Sequence, residues 1–239
     1  MNSFDASIIA FLNHFAHRSQ DLDYLIMLIG SNELIKGGVI TALIWWAWFR
    51  PGENKTRDHE YLFCGILASF VAVLAARALA DFLPFRERPF ANPALHFQLP
   101  YHVDFLDHMI DWSSFPSDHA AMFFALATSI FFVARGAGIL ALLHAIFVVS
   151  LPRVYMGMHY PTDIVAGAAI GVGIASTAKI VVVRAKVAGP AMHWLEKSPQ
   201  TFYPVLFLLT FLITVIFNPV RRVALIFFKM LELVIHHLH

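Results

Sequence analysis

Six apolar runs divide this chain, at residues 34–49, 61–83, 120–134, 139–151, 161–183 and 202–217. Backbone that enters hydrocarbon finds no water to bond, and a helix satisfies every N–H and C=O group within its own run. A hydrocarbon core of ~30 Å takes about 20 helical residues. Residues 61–83 meet that length alone, whereas 34–49 needs length from its flanks. Charge is correspondingly scarce: 14% of the 239 residues are Asp, Glu, Lys or Arg, against about a quarter in soluble domains. The pattern predicts an all-α, polytopic membrane helix bundle of about six spans, forming a single integral membrane domain over residues 1–239.

The connecting segments are amphipathic or polar. Ile8, Ile9, Phe11, Leu12 and Phe15 recur at helical spacing, with Asn13, His14, His17 and Arg18 on other faces, which predicts an interfacial N-terminal helix. Trp45, Trp46 and Trp48 mark an aromatic belt at the end of the first run. Pro84 cannot extend the second span comfortably and opens a long loop reaching Asp118. Asp104–Asp111 in that loop reads as an amphipathic interfacial helix. The third and fourth runs form a hairpin with a short turn at residues 135–138, and Pro161 suits the first turn of the fifth. Gly167 and Gly171 there form a small-residue face for close helix packing. The tail, residues 218–239, carries Arg221, Arg222 and Lys229 among apolar residues and reads as interfacial, with His236, His237 and His239 exposed. No cleaved signal peptide is expected, because the first residues lack a basic segment. The single Cys64 excludes an internal disulfide and reads as a small core residue. A net charge of +1 offers no basic surface for nucleic acid.

If the spans alternate, Arg50, Lys55, Arg57, Arg135, Lys179, Arg184, Lys186 and Lys197 share one side, which the positive-inside rule makes cytoplasmic. Arg221 and Arg222 weigh mildly against this. Three charged groups then meet on the external face: Arg86-Glu87-Arg88-Pro89, Pro116-Ser117-Asp118-His119, and Arg153 with His159 and Asp163. One such group reads as solvated interfacial charge. Three on one face point to function, since ionisable residues at membrane spans are costly. The chemistry suits phosphoryl transfer. Arginines neutralise phosphate oxygens, N–H groups where Ser117 to His119 open a helix add an anion site, and one imidazole attacks phosphorus while another protonates the leaving oxygen.

Arg88-Pro89, Pro116-Ser117-Asp118-His119, and Arg153 followed by His159 and Asp163 resemble the three signature motifs of the type 2 phosphatidic acid phosphatases. That superfamily includes lipid phosphate phosphatases and vanadium haloperoxidases, and the resemblance covers roughly residues 60–175. It implies that His159 is the nucleophile forming a phosphohistidine, with Asp163 as its orienting partner. It implies that His119 is the general acid for the leaving group and then the base for water, that Arg88 and Arg153 bind phosphate with help from Ser117, and that no metal or cofactor is needed. Arg88-Pro89-Phe90 together with Phe115-Pro116-Ser117-Asp118-His119 is similar to the bacitracin-resistance type of undecaprenyl diphosphatase. That similarity implies a polyprenyl diphosphate substrate, a role in carrier recycling for cell-wall synthesis, and a bacterial inner (plasma) membrane location with the site on the periplasmic or extracellular side. The lipid substrate and membrane lipids are the partners implied.

Three positions depart from the pattern. Asp81 stands where the first motif has lysine, leaving Arg77, one helical turn earlier, or Arg86 as the substitute cation. Pro152 stands where serine precedes the third-motif arginine, and Asp118 replaces the glycine of the second motif, joining the phosphate-binding group. His96, His102, Asp104, Asp107, His108 and Asp111 match no tight ligand spacing, so the long loop is read as a cap or headgroup guide and not as a metal centre. His144, mid-span, is read as a helix-helix hydrogen bond. Phosphatases acting on phosphatidylglycerol phosphate, phosphatidic acid or lipid A remain alternatives. So does an anionic-lipid transporter, whose charges would line a path near the midplane.

Overall fold

The computed structural model describes residues 2–101, 103 and 109–215, and all regular structure among them is helical. Helices α1 (Ser3–Asn13) and α2 (Gln20–Ser31) precede a π-helical turn, Leu34–Gly38, that runs into α3 (Val39–Phe49). The long α4 (Lys55–Phe82) leads to the loop, where single 3₁₀ turns form at Pro89–Ala91 and Pro93–Leu95. Then come α5 (Asp118–Val133) and α6 (Arg135–His144), which passes through a second π-helical segment, Ala145–Ser150, into α7 (Leu151–Tyr155). The series ends with α8 (Pro161–Ser176), α9 (Val181–Lys197) and α10 (Pro199–Thr214).

Three stretches are long and apolar enough to cross a membrane: α4, Arg135–Tyr155 and Pro161–Lys179. Helix α2 and Leu34–Phe49 make a fourth if the pair, bent by 61°, is one span. In that case the first run draws its missing length from α2. Helices α5 and α10 have 16 residues each, about 24 Å at 1.5 Å per residue. Helix α5 is the bundle's centre, with Ala121, Phe123, Ala125, Ala127 and Ile130 fully buried. Helix α10 lies antiparallel along α3: Trp48 stacks on Phe202, Trp45 Nε1–H donates to Thr210 (3.1 Å), and Thr41 meets Thr214 (2.9 Å).

Without a hydrophobic drive between helices in lipid, close contact comes from small side chains. Ala68, Ala72 and Ala76 of α4 meet Ala121 and Ala125 of α5 and Ala175 of α8. A Cβ on Gly167 would collide with the Ser117 carbonyl, and one on Gly171 with that of Ala121. The expected small-residue face of α8 thus brings α8 against the start of α5, where the second motif lies.

Other expectations change. The chain breaks at Ala134, and α6 already begins at Arg135; Gly138 lets the hairpin close because a side chain there would strike Phe131. The fifth run is not one helix but ends at Ser176 and restarts at Val181. Arg184 causes the fold-back: it is buried, and it bonds Glu60 (2.9 Å), the Tyr61 hydroxyl (3.1 Å) and the Ala178 carbonyl (2.9 Å) against the start of α4. The N-terminal segment forms two helices carrying fully buried acids, Asp5 and Asp23, and so does more than lie in an interface. His102, Asp104, Asp107, His108, and the tail with Arg221, Arg222, Lys229, His236, His237 and His239, lie outside the described residues. Cys64 is buried beside Ala178 and Ala188, and His144 Nε2–H donates to the Lys36 carbonyl (2.8 Å) as a helix-helix bond.

Candidate active site

The second motif is organised by a helix start. Ser117 is the N-cap of α5: its Oγ accepts from the Ala120 N–H (3.4 Å), while its own N–H donates to the Asp163 carbonyl (3.1 Å). A serine cap is favoured here because it satisfies an otherwise orphaned first-turn donor. Asp118 follows, and its Oδ1 accepts from both the main-chain N–H and the Nδ1–H of His119 (2.8 Å each). Its other oxygen pairs with Arg77, whose guanidinium lies over the Trp112 ring at 4.9 Å. Asp118 carries the same charge sign as phosphate, and its carboxylate is engaged with Arg77 and His119. Its side chain is therefore placed to orient His119, a different part from the phosphate contact expected of it.

The third motif is a tight turn between α7 and α8. Arg153, buried near the end of α7, has its carbonyl bonded by the Met158 N–H (2.9 Å). Gly157 takes φ +72°, and a Cβ there would come within 2.7 Å of the Phe97 ring; only glycine holds this left-handed turn cheaply. His159 follows with 3% exposure. Its Nδ1–H donates to the Ser114 carbonyl at 2.8 Å, while Asp163 Oδ2 stands 3.6 Å away. The expected partner is thus within ion-pair reach, and a main-chain oxygen joins it. The Ser114 carbonyl, at the shorter distance, and the Asp163 carboxylate both lie on the Nδ1 side of the ring. Asp163 itself caps α8, accepting the Tyr160 N–H (2.7 Å), and its other oxygen binds Arg86 (2.5 Å).

Burial pushes the His159 imidazole below the usual histidine value; Asp163 pulls it up, and the Arg88 and Arg153 charges push it down again. The shift favours the neutral imidazole, and the Nδ1–H···O=C bond leaves Nε2 as its unprotonated nitrogen. A nucleophilic histidine needs that state.

The arginines of the first motif diverge. Arg88 is 5% exposed and donates to the carbonyls of Met158 (2.8 Å), Met109 and Trp112 (3.2 Å each) and, at 3.4 Å, Ser113. It ties the loop to the third-motif turn while acting electrostatically on His159. Arg86 bridges two buried carboxylates, Asp5 (2.7 Å) and Asp163, and bonds Thr162 (2.9 Å). With Arg77 committed to Asp118, each of the two expected substitutes for the missing lysine already holds a carboxylate. Beside Arg77 a cavity of about 520 Å³ opens, lined also by Asp81, Asp111 and Trp112.

Two contributors were not foreseen. Asp5, from α1, accepts from Arg86, the Thr162 N–H (2.9 Å) and the Thr162 hydroxyl (2.7 Å). The Ser114 carbonyl is main chain, so no side-chain pattern could announce it. Asp5 had one available signal, an acid three residues after Asn2 and just ahead of an apolar stripe. That pattern also describes an ordinary first-turn acid, which it is: Asn2 caps α1 through the Asp5 N–H (2.7 Å). Among the described residues no cluster of His, Cys, Asp or Glu has metal-binding geometry.

The family model described as the PAP2 superfamily matches residues 59–187. The chain is 34% identical over 119 residues to "Bacitracin transport permease protein BcrC" of Bacillus licheniformis, covering 50% of this chain and 54% of that one. It is 28% identical over 181 residues to "Putative undecaprenyl-diphosphatase YbjG" of Escherichia coli (strain K12), covering 75% of this chain and 80% of that one. The chain thus aligns with about half the length of the first relative. No solved structure matches it significantly.

Proposed function

This chain belongs to the PAP2 superfamily, and from that premise we propose that it removes the terminal phosphate of a polyprenyl diphosphate, in the undecaprenyl class, at the external face of a bacterial inner membrane. One observation carries the reading. Two imidazoles, one buried and one partly buried, each have Nδ1 anchored to a fixed oxygen, His159 to the Ser114 carbonyl and His119 to Asp118 (2.8 Å each). Each therefore presents Nε2 for chemistry. Burial and the Arg153 charge hold the pKa of His119 down to about 3 against the pull of Asp118. In this reading the negative charge of the bound phosphate is what loads His119 with its proton, while His159 keeps Nε2 free. The direct bond to a carboxylate favours His119 as the acid, and the carbonyl on Nδ1 favours His159 as the nucleophile.

In the first step His159 Nε2 attacks the terminal phosphorus, an N–P bond forms, the P–O bond to the lipid monophosphate breaks, and His119 gives its proton to the departing oxygen. In the second step water attacks phosphorus and loses a proton to His119. The N–P bond then breaks, and inorganic phosphate leaves with His159 restored. Arg153 faces the developing charge. No step draws on a metal. Arg77 and the cavity beside it offer a polar approach for the headgroup, and the apolar helix faces suit the isoprenoid tail.

One relative is named as a transport permease. A transporter would need its charges along a path between leaflets, whereas here they gather where α4 ends and α5 and α8 begin. The test compares phosphate release from undecaprenyl diphosphate, phosphatidylglycerol phosphate and phosphatidic acid by the purified protein in EDTA. Preferential release from the first is expected, and His159→Ala abolishes it while helicity is retained. Negligible release from all three would end the phosphatase reading, and strict dependence on added divalent metal would end the histidine mechanism.

A further inference from the structure

Lys36 lies in the π-helical turn Leu34–Gly38 ahead of α3 and is 4% exposed. Among the described residues its ammonium makes no hydrogen bond and no ion pair. The charge acting on it most strongly is that of Arg153, which outweighs Glu33, and Lys36 in turn acts on His119. Lys36 and Arg153, both buried, thus lie within electrostatic reach of each other and of the general acid, with no carboxylate bonded to the ammonium among the described residues. A buried ammonium beside a like charge either meets an anion or gives up its proton, so a phosphate arriving between Lys36 and Arg153 would hold the ammonium charged.

The geometry explains why Lys36 reaches this place. Chain alternation puts the start of the α3 run at the end of the bundle where α4 finishes and α5 begins. There the two π-helical segments, Leu34–Gly38 and Ala145–Ser150, face each other, joined by the bond from His144 to the Lys36 carbonyl (2.8 Å). The second segment leads within three residues to Arg153. The His144 ring also sits 6.4 Å from that of Phe123, one helical turn beyond His119. Wide turns of this kind recur at functional sites because they redirect side chains out of helical register. Arg86 and Arg77 each already hold carboxylates.

We infer that Lys36 is a phosphate-binding residue of this site, its ammonium sharing with Arg153 the oxygens of the phosphoryl group that His159 attacks. The assignment rests on the phosphatase reading for its ligand, and it supplies from the first span the cation missing at Asp81.

The test uses the full chain in detergent, with orthovanadate as the phosphate probe and thermal unfolding as the readout, followed by turnover of the preferred lipid. Lys36→Met is expected to fold with an apo Tm at or above that of the parent, because it removes a buried unpaired charge at similar volume. It loses the vanadate-induced rise in Tm and falls about 100-fold or more in kcat/KM, as loss of a charge-stabilising donor does. Lys36→Arg keeps part of both. A Lys36→Met protein with the parent's vanadate response and turnover would overturn the assignment, as would a parent protein that vanadate does not stabilise. If Lys36→Met fails to fold, Lys36→Gln is measured in the same way, and failure of both would make Lys36 structural and sink the proposal. A parent protein stabilised by vanadate that releases phosphate from no lipid would end the phosphatase reading alone, leaving Lys36 to be judged on vanadate binding.

Discussion

In the proposed mechanism His159 attacks phosphorus only while its Nε2 lone pair is free, so the acid limb of activity would report its protonation. Its value is lowered from the ordinary 6.5, first by burial and then by the arginine charges. The acid limb of kcat/KM is therefore expected below pH 6.5, with activity lost as pH falls through the lowered value. Stability follows the same sign. Between 6.5 and the lowered value the unfolded chain binds a proton that the folded chain refuses, so this group makes folding less favourable as pH falls through that window. A pH–rate profile with its acid limb above 6.5 would contradict this placement. Asp5 makes a second prediction at this scale. Asp5→Asn leaves Arg86 its contact with Asp163 but weakens the bridge that fixes both, so kcat is expected to fall by up to about 100-fold, as a displacement of ~1 Å at a reacting group does. A parent-like kcat would show that Arg86 holds Asp163 without help from α1. The motif side chains were readable from the sequence because Arg153, His159 and Asp163 are close along the chain and their chemistry is local. The Ser114 carbonyl, Asp5 and Lys36 were not, because each reaches the site through a tertiary approach that leaves no mark on its neighbours.

Between helices, closeness decides. The cap of α5 and the start of α8 meet because Gly167 leaves room for the Ser117 carbonyl. Gly167→Leu is expected to cost about 1–3 kcal/mol by overpacking, seen as a lower Tm. Activity should fall with it, because the same contact positions Ser117 against the Asp163 carbonyl (3.1 Å). Gly173→Leu, at a position with open space around it, should leave both unchanged, and equal damage from the two would refute the argument. Helical runs and the glycine face were visible in hydropathy and spacing. The break between α8 and α9 was not, because its cause is Arg184 reaching Glu60, 124 positions earlier in the chain, and a hydropathy window sees only neighbours.

For the molecule as a whole, basic residues that flank α4, α5 and α8 at one end, opposite the histidines, imply a fixed orientation. In a Cys64→Ala background, Glu87→Cys is expected to react with an impermeant maleimide from the periplasmic side, and Gly136→Cys only after permeabilisation. The reverse pattern would place the site in the cytoplasm. Membrane character and the helical class followed from composition. The number of crossings did not, because the bent pair of α2 with the α3 run and the fold-back of α9 are tertiary outcomes that apolar run lengths cannot encode.

The Asp5 bridge also ties catalytic competence to the order of synthesis. Asp5 and Thr162 are 157 positions apart, so at about 5–20 residues per second the ribosome needs on the order of 8–30 s between them. Through that interval the first helix waits without its partners while the intervening spans insert. The site can close only after α8 has emerged, which makes completion of the clamp a late event in biogenesis and leaves a nascent chain stalled before α8 without its Arg86 bridge.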